Sequence, residues 1–119
     1  MFAARKDYDL ILFGVTGFTG RLAAEHLATS EHGLRWAVCA RNEAKAQKVL
    51  EDINASPTIE VADLICEDDA AETKLRNVVR KTKVCATCAG PFEKYGKFLA
   101  KLCAEEGVNR GAFGTNARF

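Results

Sequence analysis

Short apolar runs alternate along the chain with stretches whose apolar residues recur at helical spacing. Tyr8-Asp9-Leu10-Ile11-Leu12-Phe13 reads as a buried strand, and Arg21 to Thr29 as a helix with Leu22, Ala23, His26 and Leu27 on its inner face. Thr29-Ser30-Glu31-His32-Gly33 closes that helix, and Leu34 to Ala40 is the second strand. Asn42 is placed to cap a helix whose inner face is Ala46, Val49, Leu50 and Ile53, ended by Asn54-Ala55-Ser56-Pro57. Thr58-Ile59-Glu60-Val61 is a third strand. Asp69 and Glu72 have the spacing of a capping box ahead of a helix with Ala71, Leu75, Val78 and Val79 on one side. Lys83 to Ala89 is the fourth strand, broken by Gly90-Pro91. A last helix from about Glu93 to Glu106 turns Phe98, Leu99, Leu102 and Cys103 inward and stops at Gly107.

Strands separated by helices of roughly 10 to 14 residues imply right-handed crossovers and a parallel sheet covered on both faces. The expected fold is α/β, a Rossmann-like doubly wound sheet, truncated to about four strands in the order 3-2-1-4 with helices on both faces. Its crevice lies between strands 1 and 4. Residues 1–7 form an extension, 8–107 the incomplete nucleotide-binding domain and 108–119 an irregular tail rich in Gly, Asn and Arg. Without a neighbour, strand 4 would be an exposed edge, which invites self-association.

The first strand runs into Gly14-Val15-Thr16-Gly17-Phe18-Thr19-Gly20. The spacing is G-x-x-G-x-x-G, and its place between strand and helix gives it meaning. Glycines there permit positive φ and close approach of the backbone to a pyrophosphate, with free helix N–H groups aimed at the anion. Thr16 and Thr19 either contact phosphate or tie the turn to itself, and Phe18 is read as a packing residue at the helix start. The second strand ends in Ala40-Arg41-Asn42 with no carboxylate for a ribose 2′-hydroxyl. A cation at a helix start is unfavourable unless an anion lies between, so Arg41 points to a 2′-phosphate and to NADPH in preference to NADH. A solvated surface arginine is the alternative. Asp63 lies where the adenine end would pass, with capping as its other role. Gly90-Pro91 is either a flat turn against ribose and nicotinamide or a plain strand terminator.

Composition narrows the classes. With 119 residues, 48% hydrophobic and 28% charged, there is room for one domain, and a net charge of +1 without a basic block gives no reason to expect nucleic acid. No apolar run reaches the length of a membrane span, and an intracellular, cytoplasmic location is expected. Cys39, Cys66, Cys85, Cys88 and Cys103 are odd in number, which suits reduced thiols. Cys85 and Cys88 have C-x-x-C spacing, but on a strand they face opposite ways, so no metal site is expected. His26 and His32 are read as structural. Lys94 and Tyr95 fall near the nicotinamide end without an assigned role, and the catalytic residues are unknown.

Tyr8-Asp9-Leu10 before Gly14-x-Thr16-Gly17-Phe18-Thr19-Gly20-Arg21-Leu22, then Leu34-Arg35-Trp36-Ala37 to Ala40-Arg41-Asn42, then Gly90-Pro91-Phe92 and Tyr95-Gly96, resemble the N-terminal domain of saccharopine dehydrogenase-like oxidoreductases over residues 7 to 109. The resemblance implies an NAD(P)-binding domain lined by Gly14, Thr16, Gly17, Phe18, Thr19, Gly20, Arg41 and Gly90, with a larger substrate domain beyond it. It also brings in lipid-droplet or mitochondrial association, known for some relatives. Family members continue into a fifth strand with Tyr-x-Asp. Here Arg110-Gly111-Ala112-Phe113-Gly114-Thr115 has no strand pattern. The chain alone is therefore expected to be inactive. The readings are the NADPH-binding part of an oxidoreductase, a non-catalytic dinucleotide sensor, or a truncated fragment.

Overall fold

Five parallel strands form one sheet in a computed structural model of the chain, which describes residues 6–31, 33–88 and 97–112. In chain order the elements are β1 (Tyr8–Phe13), α1 (Phe18–Thr29), β2 (Trp36–Ala40), α2 (Glu43–Asp52), β3 (Thr58–Val61), α3 (Asp69–Arg80), β4 (Thr82–Thr87), α4 (Lys97–Glu106) and β5 (Asn109–Ala112). The strand order is β3-β2-β1-β4-β5. Helices α1 and α2 pack on one face through Ala24, Ala46 and Leu50. Helices α3 and α4 pack on the other through Leu75, Val79, Leu99 and Leu102. Because both faces are covered, Ile11, Leu12 and Phe13 are all buried, and the strand reads as a continuous apolar run without alternation.

The expected order 3-2-1-4 is present, and β5 extends it. Val84, Cys85, Ala86 and Thr87 pair with residues 109 to 112, so the tail is not irregular there and β4 is not an edge. The chain reaches β5 through the turn that ends α4. Gly107 takes φ +68°, its N–H donates to Ala104 O at 3.4 Å, and the Val108 N–H donates to Cys103 O at 2.8 Å. The same motif ends α2, with Asn54 at φ 55° and Ala55 N donating to Leu50 O at 2.9 Å. Residues 113–119, the rest of the expected tail, lie outside the described residues, as does His32.

Three local expectations are corrected. Helix α3 is capped by Asp68, whose Oδ1 accepts from Ala71 N at 2.8 Å, one residue before the Asp69/Glu72 box. Glu72 turns instead toward Arg76. Strand β2 starts at Trp36, leaving Leu34 43% exposed. Helix α1 starts at Phe18 and buries Gly20 and Ala24, whereas Leu22 and His26 face outward. The close approach of Gly20 to β1 sets that rotation, since small residues must face the sheet where helix and strand nearly touch.

Helices α3 and α4 are joined by a shared carboxylate. Glu106 accepts from Arg80 Nε at 2.6 Å and from Arg76 Nη1 at 2.8 Å, and its side chain is only 15% exposed. Arg80 and then Arg76 hold its pKa down from the usual 4.5 to about 2. Asp9 is likewise held well below the carboxylate range, chiefly by the Arg35 backbone and side chain and then by Lys83. A folded pKa below the unfolded one stabilises the fold above the unfolded value, and that contribution is lost as pH falls through the folded one. The melting temperature is therefore expected to fall between about pH 4.5 and pH 2. Glu106→Gln should lower it near neutrality and flatten that acid limb; an unchanged limb by circular dichroism would remove Glu106 from the cause.

Candidate dinucleotide cleft

The C-terminal ends of β1 to β4 open onto one cavity of about 380 Å³. Its first wall is the turn after β1. Gly14 takes φ 89°, a conformation that side chains rarely tolerate, and the Gly17 N–H returns to Gly14 O at 3.1 Å. Val15 is fully buried beneath the turn and anchors it. Gly17 is then the N-cap of α1, with no side-chain cap, and no acidic residue stands in the first turn. By contrast, α2 and α3 have side-chain caps from Asn42 and Asp68 and acids in their first turns. The positive end of α1 thus meets the cavity without an internal counter-charge, as an anion site requires.

The second wall comes from the exit of β2 and the start of α2. Arg41, Asn42 and Lys45 line it, and Asn42 Oδ1 accepts from Lys45 N at 3.1 Å. Capping fixes the first turn of α2, so both cations stand on the cavity side as a pair. The third wall is Ala62, Asp63 and Leu64 after β3, and Cys88 after β4 closes the cleft. Cys88 N donates to Phe13 O at 2.8 Å, holding the β4 exit against the glycine turn.

Of the residues expected at the site, Gly14, Thr16, Gly17, Arg41 and Asp63 share this cavity. Phe18, Thr19 and Gly20 are not in its wall. Phe18 is 81% exposed, which corrects its reading as a packing residue. Gly20 faces β1, where a Cβ would stand 1.8 Å from Gly14 O, so it sets the helix–strand distance. Asp63 takes the capping role: its Oδ1 accepts from Ile65 N at 2.9 Å. Gly90, Pro91, Lys94 and Tyr95 lie outside the described residues. Sequence reasoning passed over Lys45. The signal was its spacing, because the third position of a helix returns beside the residue preceding the cap, here Arg41.

Cys85 and Cys88 face opposite sides of the sheet, Cys85 in the core under α3 and α4 and Cys88 toward α1 and α2. Burial pushes the Cys39 thiol up to about 12 and raises Cys88 as well, so the cavity wall carries neutral thiols and no thiolate repels an anion. Together these walls offer a bare helix N-terminus, a cation pair and an apolar slot, which fit a dinucleotide carrying a phosphomonoester.

The family model described as Saccharopine dehydrogenase NADP binding domain matches residues 10–110. The lipid droplet localized protein of Caenorhabditis elegans is 34% identical over 106 residues, covering 86% of this chain and 25% of the relative. The trans-acting enoyl reductase of Mycobacterium leprae is 32% identical over 105 residues, 88% of this chain and 25% of its own. The saccharopine dehydrogenase-like oxidoreductase of Homo sapiens is 32% identical over 120 residues, 92% and 28%. The chain thus spans about a quarter of the length of these relatives. Among solved structures, saccharopine dehydrogenase (L-Glu forming) from Saccharomyces cerevisiae superposes with a TM-score of 0.68 at 15% identity, over 92% of this chain and 22% of that one. Gre2 from Candida albicans, solved with NADPH, gives 0.59 at 20% identity, over 86% and 34%. At those identities the structures show the fold alone.

Proposed function

The chain belongs to the family of saccharopine dehydrogenase NADP-binding domains, and from that premise we propose that its cleft holds NADPH in one orientation. The diphosphate rests on the Gly14–Gly17 turn and the α1 N-terminus, and the 2′-phosphate sits between Arg41 and Lys45. The adenine lies toward Asp63 and Leu64, and the nicotinamide toward Cys88 and the β4 exit. When bound, the nicotinamide supplies a hydride; this chain's residues position the cofactor and exclude water around it.

The observation that carries this reading is the joint placement of an uncapped, acid-free helix N-terminus and a cation pair on one cavity. Asp63 is the one carboxylate among the described wall residues, and its Oδ1 is engaged by the Ile65 amide. We therefore assign the acid–base groups and the hydride acceptor to polypeptide outside this domain, and expect no turnover by the chain alone. Thermal shift tests the cofactor. NADPH at about 100 times its Kd should raise the melting temperature by roughly 10 °C, and NADH at the same concentration by much less. Equal shifts would remove the 2′-phosphate assignment, and no shift with either would remove the cofactor.

The C. elegans relative is named for lipid droplets. Among the described residues no helix is long and apolar enough to cross a membrane. With Cys39, Cys66, Cys85, Cys88 and Cys103 free, a reducing, cytoplasmic location is the reading we favour.

A further inference from the structure

Helix α1 carries its apolar residues in inverted positions. It buries Gly20 and Ala24 against the sheet, while Phe18 and Leu22 are 81% and 51% exposed. Four residues apart, they form one outer stripe beginning directly after Gly17, at the rim of the cleft. Arg21 and Glu25 flank the stripe with opposite charges, and Arg21 also reaches Asp52 at 3.6 Å. The stripe is too small for a second copy of the chain. A stable interface needs about 800 Å² and 20 to 30 residues a side, whereas one phenylalanine and one leucine supply only a fraction of that. They match instead the apolar anchor of a larger contact with a mixed-charge rim.

The relatives indicate what makes that contact, for about three quarters of their length lies outside the matched segment. We propose that Phe18 and Leu22 seat the remaining polypeptide of this family on α1, so that the partner domain closes over the cofactor rim from the α1 side. This rests on the reading that the hydride acceptor is held outside the domain. Seating at Phe18 brings that domain within a turn of the diphosphate cradle, where a partner that must meet the nicotinamide has to stand.

Hydroxyl-radical footprinting tests this directly. The chain is compared with a chimera of the human saccharopine dehydrogenase-like oxidoreductase in which residues 10–110 of this chain replace the matched segment. Oxidation of Phe18 and Leu22 should slow at least fivefold in the chimera, while Leu34, exposed at the opposite end of the sheet, stays within twofold. Equal rates at Phe18 and Leu22, or equal slowing at Leu34, would overturn the proposal. A second measurement needs no chimera. The double variant Phe18→Ser, Leu22→Ser of the chain alone should melt within 2 °C of the parent, and a fall beyond 5 °C would show that these side chains serve the chain's own core and overturn it. The NADPH shift of the unsubstituted chain is read separately, so its failure would strike the cofactor reading without altering the footprinting comparison.

Discussion

Gly20→Ala is expected to lower the melting temperature by more than 10 °C and to abolish the shift produced by NADPH, although alanine is the better helix former. Propensity alone favours alanine at an interior helix position by about 1 kcal/mol. Against it, the new Cβ would stand 1.8 Å from Gly14 O, 2.5 Å from Gly14 C and 3.0 Å from Val15 Cα. All three are backbone atoms of the turn, so no side chain can swing away. Helix α1 has to lift off β1, which loosens Ala24 and the buried Val15 and moves the N-terminal amides out of the cradle. Overpacking of this kind costs about 3 kcal/mol or more, so the clash outweighs the propensity. With roughly 4 to 8 °C per kcal/mol for a small domain, the loss is large and readable by calorimetry. A melting temperature within 3 °C of the parent would mean that the helix–strand contact is not as tight as described.

Gly17→Ala separates fold from site. A Cβ there meets Gly14 O at 3.6 Å, an ordinary contact, and the φ of −86° suits any residue. Stability should stay within 2 °C of the parent. The methyl group nevertheless projects from a residue of the cleft wall, so NADPH affinity should fall about tenfold, equivalent to 1.4 kcal/mol.

What the sequence made legible follows from which interactions leave a pattern. The four expected strands were visible because a sheet covered on both faces needs continuous apolar runs. The helix ends were visible because Asn42, Asn54 and Gly107 carry conformational preferences of their own. Strand β5 left no such mark: Asn109-Arg110-Gly111-Ala112 joins through the backbone ladder to β4, after the turn at Gly107 aims the chain there. In α1, two faces compete on periodicity, Leu22 with His26 or Gly20 with Ala24. Hydrophobicity favours the first. The distance from Gly20 to Gly14 decides for the second, and that distance is a tertiary fact. At the site, Gly14, Gly17 and Arg41 were legible as chemistry, whereas Lys45 became a cleft residue only once the Asn42 cap placed the first turn of α2 beside Arg41.

Arg41→Ala should separate the two cofactors. Without a ligand, Arg41 and Lys45 are exposed cations near the positive end of α2, so removing one should leave the melting temperature unchanged or slightly raised. With NADPH, a guanidinium fork on a phosphate is a charge-assisted pair of about 1.5 to 3 kcal/mol, and its loss should weaken binding roughly 10- to 150-fold. NADH, which lacks the 2′-phosphate, should bind within twofold of the parent. Lys45→Ala should cost NADPH less, about fivefold, because an ammonium acts as a single charge without the planar fork; for the same reason Arg41→Lys should not restore the parent affinity. Added salt should narrow the NADPH to NADH ratio in the parent and leave it flat in Arg41→Ala, since both cations are exposed and screened. Calorimetric titration of the four proteins with both cofactors reads all of this. If Arg41→Ala weakened NADH as much as NADPH, the arginine would be acting on the adenine or the diphosphate that both cofactors share, and the preference for NADPH would have to be carried by Lys45.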